Sequence, residues 1–591
     1  MSSSSRIHYG TLKRLLIFAA IIFTGTLLYY NSIWYDYIYL DDHTLIKDYY
    51  RFISDISNVG EAFNRSVTGN FYDSYYRPIL TTSFIIDAQF SGTDLFGFHI
   101  TNIMLHVASS CLVFLLFTKL GYERKISFFF SLVFTVHPVF AQAVSWIPGR
   151  NDTLLALFVL LSFTFLVDFT RSRKYFYLLL HLLFFSIALF TKETSVMLPV
   201  ISCLYLLIIQ KEKLFSRLTL TIYIGWLLVG CGWLYMRFSA LNSTQNLDIP
   251  DMMRIVLYNS PALVQFAGKM LLPFNLSVYP IIEDTGFVYG CISVIIITLM
   301  LFFSKQKRMR AVIFGFSWFF FFSILSFIKT SDILEPDFVE HRTYLPSIGF
   351  LMLLLETDFF KTLSGRKVLF PAVAITIIGL FAYLNYEHNK NYRNECAYWK
   401  NAVETSPHSS VAHRGMGVYY SRQKQFEKAI EHYLISIKMN SKVTMSHNNI
   451  AAIYIEQQRY EEAKKELEIE LKVDPWSSPG YFNMGVAEGM LGNMHEAGNM
   501  WYTAVMYDPR NADANNNLGV FYFNHHEIDS AEKYIYRAAE LDIRFVDGLR
   551  QFANYFFVQK NRNKLMFYVE ALQRNKQKVD MKYLEYLNAS K

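Results

Sequence analysis

The stretch LKRLLIFAAIIFTGTLLYYNSIWYDYIYLDDH, residues 12–43, decides what kind of chain this is. It opens on two cations, Lys13 and Arg14, runs through an uncharged apolar stretch, and ends on the adjacent carboxylates Asp41 and Asp42. About 20 such apolar residues suffice to cross a bilayer as a helix. The basic flank and apolar run have the form of a secretory signal, but no small-residue cleavage site follows, so the reading is a retained signal anchor with a cytoplasmic N-terminus. An acidic pair placed where the chain leaves an apolar span is costly unless it has work to do there.

Composition extends the same reading. Of 591 residues, 52% are hydrophobic, 17% aromatic and only 18% charged, a membrane-protein balance. Apolar blocks of spanning length recur as far as Tyr386 and then stop, which predicts an all-α chain in two parts. Residues 1–386 form a multi-span membrane domain with a long first external loop over about 35–98, and 387–591 form a soluble helical domain. The net charge of +7 divides as 30 Lys+Arg against 24 Asp+Glu before Glu387 and 26 against 25 from there on. The basic excess therefore belongs to membrane loops, where it sets orientation, and nucleic-acid binding is excluded. Four of the five cysteines, Cys111, Cys203, Cys231 and Cys291, lie in apolar segments, so neither a disulfide framework nor a Cys-based zinc site is available.

Basic clusters at 124–125, 171–174, 211–217, 305–310 and 361–367, with the N-terminus, read as cytoplasmic. Spans at 12–33, 98–120, 126–145, 153–170, 175–190, 195–209, 218–237, 287–303, 311–328, 344–360 and 368–386 then make eleven crossings. The segment 255–273 is expected to lie in or re-enter the outer face, because a crossing there would put 305–310 on the wrong side. Segments 35–98, 148–152, 191–194, 239–254 and 329–342 fall on one outer face, together with the C-terminal domain.

That domain repeats. Gly417, Ala451, Gly485 and Gly519 are 34 residues apart, as are Ala429, Ala463, Ala497 and Ala531, while Pro475 and Pro509 keep the same period. Small residues let two helices of a pair approach, and Tyr433, Leu467, Trp501 and Ile535 fill the space between them. This is the tetratricopeptide pattern, in about four full copies, with a half repeat at Trp399, Ala402 and Pro407 before them and a degenerate one after. Stacked pairs make a concave binding face. Asn449, Asn483 and Asn517, again one period apart, would offer a donor and an acceptor at each step to an extended acceptor peptide, or would simply line a solvated groove.

Other polar motifs stand in the expected membrane part: Tyr76-Arg77-Pro78; His99, Asn102 and His106 on one helix face; His137-Pro138; Gly149-Arg150-Asn151-Asp152; Lys192-Glu193; and Glu340-His341-Arg342-Thr343-Tyr344-Leu345-Pro346-Ser347. Asp41 and Asp42 suit proton abstraction from a hydroxyl, with mutual repulsion raising one pKa above the other; the plainer reading is a helix cap at the membrane surface. Arg150, Lys192 and Arg342 suit a socket for a lipid-linked phosphate.

An early Asp-Asp, Tyr-Arg-Pro, His-x-x-Asn-x-x-x-His, His-Pro, Gly-Arg-x-Asp, Lys-Glu and Arg-x-Tyr-Leu-Pro-Ser, in that order and followed by tetratricopeptide repeats, resembles the transmembrane and tetratricopeptide-repeat O-mannosyltransferases of the GT-C glycosyltransferase superfamily. The resemblance implies a GT-C-type membrane domain, a polyprenyl- or dolichyl-phosphate mannose donor, direct inverting transfer to Ser/Thr of extracytoplasmic proteins, and no metal or other cofactor. It maps catalysis to Asp41 and Asp42, and donor binding to Arg77, His99, His106, His137, Arg150, Lys192, Glu193 and Arg342. The rival readings are a non-enzymatic membrane scaffold and a polyprenyl-phosphate transporter. Short loops and a compact repeat array incline the setting toward a bacterial inner membrane, the alternative being the endoplasmic reticulum. Asn64, Asn151, Asn242 and Asn275 begin N-x-Ser/Thr triplets that do not separate the two.

Overall fold

The computed structural model describes residues 3–38, 40–68, 75–241, 249–327, 338–575 and 577–589, so that the Asn242 triplet and residues 242–248 and 329–337 of the expected external segments 239–254 and 329–342 lie outside the described residues. Among those described the chain is helical throughout, with no strand. It forms two compact units, Met1–Ala412 and His413–Lys591.

Among the described residues of the first unit five helices are long and apolar enough to cross a membrane: Leu12–Trp34, Leu95–Lys119, Ile147–Ser172, Arg217–Ala240 and Leu369–Tyr392. A sixth is broken, Arg124–Val136 meeting Pro138–Ser145 at 48°. Pro138 lacks the N–H that would continue the helix and forces His137 into an extended conformation, φ −64° and ψ 123°. Four shorter apolar helices follow, Tyr175–Thr191, Glu193–Ile209, Val288–Phe303 and Met309–Leu325. The expected non-crossing segment 255–273 is two short helices, Ile249–Asn259 and Ala262–Leu271.

The expected span 344–360 differs. It holds a buried helix of nine residues, Ser347–Leu355, and then a separate one, Asp358–Ser364. Nine residues rise only about 14 Å, so this helix by itself does not cross. It is walled in by protein, which is why its sequence is as apolar as that of a span. Gly349 meets Gly315 of the helix Met309–Leu325 so closely that a Cβ on Gly349 would sit 2.4 Å from the Gly315 carbonyl oxygen. Small residues at such crossings let helices pack where no water is expelled to drive them together.

The second unit is an array of antiparallel helix pairs. Phe426–Met439, Ser446–Glu456, Tyr460–Val473, Ser478–Met490, Met494–Tyr507, Ala512–Asn524 and Ile528–Leu541 follow one another, then Val546–Val558 with Arg562–Arg574 as the degenerate pair. The small-against-large pairing is physical: a Cβ on Gly417 would lie 2.5 Å from Tyr433, on Gly485 2.6 Å from Trp501, and on Gly519 2.5 Å from Ile535.

The boundary between the units falls after Ala412 and not at 386, because the half-repeat helix Glu395–Thr405 belongs to the first unit. Its Asn401 Oδ1 accepts from the Val278 N–H at 3.1 Å, Thr405 Oγ1 is 2.6 Å from Ser277 Oγ, and Ser406 Oγ donates to the Tyr279 carbonyl at 2.7 Å.

Gly485→Val is expected to force the Trp501 ring out of place at a cost of about 1–3 kcal/mol. Thermal melts of the full-length protein in detergent should show the repeat transition displaced downward, with the apolar unit unchanged.

Candidate active site

One cleft of about 560 Å³ gathers side chains from almost every expected external segment. Asp41, Tyr75 and Arg77 come from the first long loop, Asn151 from the first turn of the helix Arg150–Ser172, Lys192 and Glu193 from the segment after Tyr175–Thr191, and His341 and Arg342 from the turn Glu340–Thr343. Pro78 starts the helix Pro78–Ser91 at its first position, where a proline fits without losing a hydrogen bond, and so leaves Arg77 at the cleft wall.

The cleft is cationic, with Arg77, Lys192, Arg237 and Arg342 against the carboxylates Asp41 and Glu193. Arg77 is tied to Glu193 through Nε at 3.1 Å and Nη2 at 2.9 Å, and its guanidinium lies 4.3 Å from the Tyr75 ring centre. Burial works against the charge on Arg77, but the Glu193 carboxylate overcomes it and holds its pKa above the ordinary value. Lys192 Nζ donates to Asp152 Oδ1 at 2.7 Å and to Asn151 Oδ1 at 3.0 Å. Its pKa is lowered, first by burial, with the cations Arg77 and Arg342 adding to the effect and Asp152 opposing it. His341 Nε2 stands 3.6 Å from the same Asp152.

The acidic pair divides. Asp41 lines the cleft and is exposed to it. Asp42 is 2% exposed, and its Oδ2 accepts the Ile38 N–H at 2.8 Å. The Asp42 pKa is raised well above the usual carboxylate range by burial first, with the Asp41 charge a smaller contribution. Desolvation, more than the repulsion expected from adjacency, therefore raises Asp42. Asp42 supports the chain bend beneath Asp41, and the Trp146 indole, which lines the cleft, lies beside it.

Four expected donor-binding residues are elsewhere, which corrects their placement. Arg150 is fully buried. Its Nε donates to Asn102 Oδ1 at 2.7 Å, Nη1 to Ser83 Oγ at 3.2 Å, and Nη2 to the Phe98 carbonyl at 2.7 Å, with Asp87 at 2.5 Å and the Phe84 ring centre at 4.8 Å. A guanidinium so occupied has no edge left for a phosphate. His106 Nε2–H donates to the Thr135 carbonyl at 2.9 Å, which leaves Nδ1 to accept from the Tyr344 hydroxyl at 2.7 Å. His137 Nε2 donates to the Met270 carbonyl at 3.0 Å, and His99 Nε2 lies 3.3 Å from the Tyr35 carbonyl. These histidines and Asn102, whose amide reaches three carbonyls over 144–147, meet backbone left open at helix breaks, as buried polar groups in an apolar bundle must.

Arg237 and Trp233, one turn apart on Arg217–Ala240, and Tyr279 and Tyr398 also line the cleft, and the sequence reading did not single them out. The signal for the first two was an Arg near the end of a span with a Trp four residues before it. In the second unit Asn449, Asn483 and Asn517 are half-buried. Asn483 already donates to Asn448 Oδ1 at 2.9 Å, and Asn516 to Asn517 Oδ1 at 3.4 Å, so part of the asparagine ladder is satisfied internally.

Fold and cleft together define a class: a helical membrane protein whose polar loops converge on one carboxylate-bearing cationic cleft, followed by a repeat array. Residues 82–235 match the dolichyl-phosphate-mannose-protein mannosyltransferase family, and 446–471 match a tetratricopeptide repeat. The chain is 25% identical over 381 residues to protein O-mannosyl-transferase F38B6.6 of Caenorhabditis elegans, covering 60% of this chain and 52% of that one. It is 24% identical over 431 residues to protein O-mannosyl-transferase TMTC4 of Homo sapiens, covering 61% and 57%. Over a shorter stretch of 155 residues it is 32% identical to protein O-mannosyl-transferase tmtc2 of Xenopus laevis, covering 26% and 18%. The chain is thus similar to proteins named protein O-mannosyl-transferases. It spans about half the length of the first two relatives.

Arg150→Met is expected to destabilise the first unit by about 3–5 kcal/mol, because Asp87 is left buried and unpaired. Adding Asp87→Leu should recover most of that loss in a detergent melting curve, which a phosphate-binding arginine would not explain.

Proposed function

We propose that this protein is a membrane glycosyltransferase that moves mannose from a polyprenyl- or dolichyl-phosphate donor to Ser/Thr hydroxyls of extracytoplasmic proteins by direct, inverting displacement. The observation that carries the reading is the meeting of Asp41 with Arg77, Lys192, Arg237 and Arg342 in one cleft. Similarity to relatives named protein O-mannosyl-transferases supports the sugar and the acceptor class.

In this reading the acceptor hydroxyl oxygen attacks the anomeric carbon from the side opposite the phosphate. The bond from that carbon to the phosphate oxygen breaks, its electron pair stays with the lipid phosphate, and the hydroxyl proton passes to Asp41. Asp41 is the base of the pair, since it lines the cleft within reach of a bound hydroxyl while Asp42 is buried beneath it. Arg342 and Lys192 face the charge that grows on the departing phosphate, and fixed cations in a site shielded from water stabilise such charge strongly. Arg77 and Arg237 flank Glu193, at 2.9 Å and 3.7 Å, and complete the cationic wall. The indoles of Trp146 and Trp233 offer apolar faces to a sugar ring. The cleft faces the extracytoplasmic side, and the repeat array receives the acceptor chain.

Purified full-length protein given a labelled polyprenyl-phosphate mannose and a Ser/Thr-rich peptide is expected to form hexosylated peptide. Asp41→Asn should lower turnover by about 10²–10⁴-fold while leaving the melting curve intact. A wild-type protein that consumes no donor would sink this function in favour of a scaffold or a lipid transporter.

Asp42 makes a second, opposite prediction. A carboxyl whose folded pKa is raised adds stability that is complete below its unfolded pKa, about 3.9, and lost as pH rises toward the folded value. Asp42→Asn should therefore melt above wild type at pH 7, with the gap closing as pH falls toward 4, and should retain far more transferase activity than Asp41→Asn.

A further inference from the structure

Away from the groups that face the cleft, a buried ionic cluster joins four separated segments of the first unit. Glu340 is fully buried, Lys269 is 1% exposed, and His388 is buried beside them. Lys269 Nζ donates to Glu340 Oε1 at 2.6 Å, and the Ser277 N–H donates to the same oxygen at 2.8 Å. His388 Nε2 lies 3.1 Å from Glu340 Oε2, while its Nδ1 is 3.3 Å from the Asn391 amide. The carboxylate requires a proton from Nε2, so Nδ1 accepts from Asn391. Lys269 has a second partner, the Asn275 carbonyl at 2.7 Å.

The four segments are the short helix Ala262–Leu271, the 275–279 loop, the turn Glu340–Thr343 and the C-terminal end of Leu369–Asn389. Apolar side chains would hold such a junction at least as well, because burying a lysine and a glutamate together gives back much of their attraction as lost hydration. What an ion pair adds is direction: each partner must sit at a set distance and angle. The residues that inherit this precision are the next two in the chain, His341 and Arg342, both at the cleft wall. Thr343 Oγ1 closes the same turn on the Glu340 carbonyl at 2.7 Å. On the other side of Glu340, the 277–279 loop is clamped by Asn401, Thr405 and Ser406, and its Tyr279 also lines the cleft.

We propose that Lys269, Glu340 and His388 are positioning residues that aim the His341-Arg342 turn at the donor phosphate, with Glu340 as the shared anchor. The inference rests on the transferase reading above and assigns no chemistry to the three residues themselves.

The test is equilibrium binding of dolichyl phosphate to full-length protein in detergent, read beside the kcat and KM for the mannosyl donor. The double variant Lys269→Met/Glu340→Leu removes both charges together, so it is expected to fold and melt near wild type. It should nonetheless bind dolichyl phosphate about ten- to a hundredfold more weakly, the scale of loss for a displaced binding group, with donor KM rising far more than kcat falls. Glu340→Gln keeps the size of the side chain and the oxygen that accepts from Lys269 and the Ser277 N–H, and its amide N–H meets His388 Nε2 once that ring takes the other tautomer and the Asn391 amide turns over, so affinity should stay within about threefold of wild type.

Unchanged affinity in the double variant would reduce the cluster to packing and overturn the proposal. So would a Glu340→Gln protein as weak as the double variant, because charge and not placement would then be responsible. If the double variant does not fold, His388→Ala decides: it removes one anchor and leaves the Lys269–Glu340 pair, and wild-type affinity there overturns the proposal equally. A wild-type protein that binds no dolichyl phosphate would instead overturn the transferase reading on which the inference stands.

Discussion

Arg150 occupies the position on which the rest of the first unit depends: a guanidinium with no accessible surface, inside an apolar helical bundle, bonded to Asn102, Ser83, Asp87 and the Phe98 carbonyl. A charge there survives only if nearly every donor finds an acceptor. That demand brings the helices Pro78–Ser91 and Leu95–Lys119 against the start of Arg150–Ser172. Asn102 carries the constraint further, since its amide holds the broken backbone over 144–147 that puts Trp146 at the cleft. The cleft stays open because the segments around it are fixed from behind.

The same rule governs the cleft wall. Asp152 opposes the burial that lowers the Lys192 pKa, and Glu193 outweighs burial at Arg77. Each pairing satisfies part of a cation while its remaining charge still contributes to the field of the cleft. The acidic pair follows the opposite logic: Asp42 is buried against the Ile38 N–H and the Trp146 indole, with no cation among the described residues paired to it, and burial raises its pKa. Two neighbouring carboxyls thus acquire different chemistry from different solvation.

Much of this was legible in the sequence. The 34-residue period alone placed Gly417, Gly485 and Gly519 against Tyr433, Trp501 and Ile535, because a repeated helix pair puts the same two positions in contact in every copy. The ordered motifs marked the loops that meet at the cleft, and Asp41, Arg77, Lys192, Glu193 and Arg342 are all there. Less legible was which polar residue faces the ligand space and which faces the scaffold. Arg150 and Lys192 have the same charge and stand in similar short polar stretches of the sequence between apolar runs, yet one is saturated in the interior and the other lines the cleft. Arg237 and Trp233 were missed because a cation near the end of a span is ordinary at a membrane boundary.

By itself, then, the sequence determined the two-part helical architecture, the repeat array and the set of polar segments around the cleft. Apolar run length, period and charge are local properties, and local properties can be read along a chain. Only the tertiary structure decided that Asp41 and not Asp42 faces the cleft, that Arg150, His99, His106 and His137 serve the scaffold, and that the half-repeat helix Glu395–Thr405 belongs with the first unit. Each of these turns on which partner, often a hundred or more residues away, takes a buried donor or acceptor, and sequence spacing does not record it.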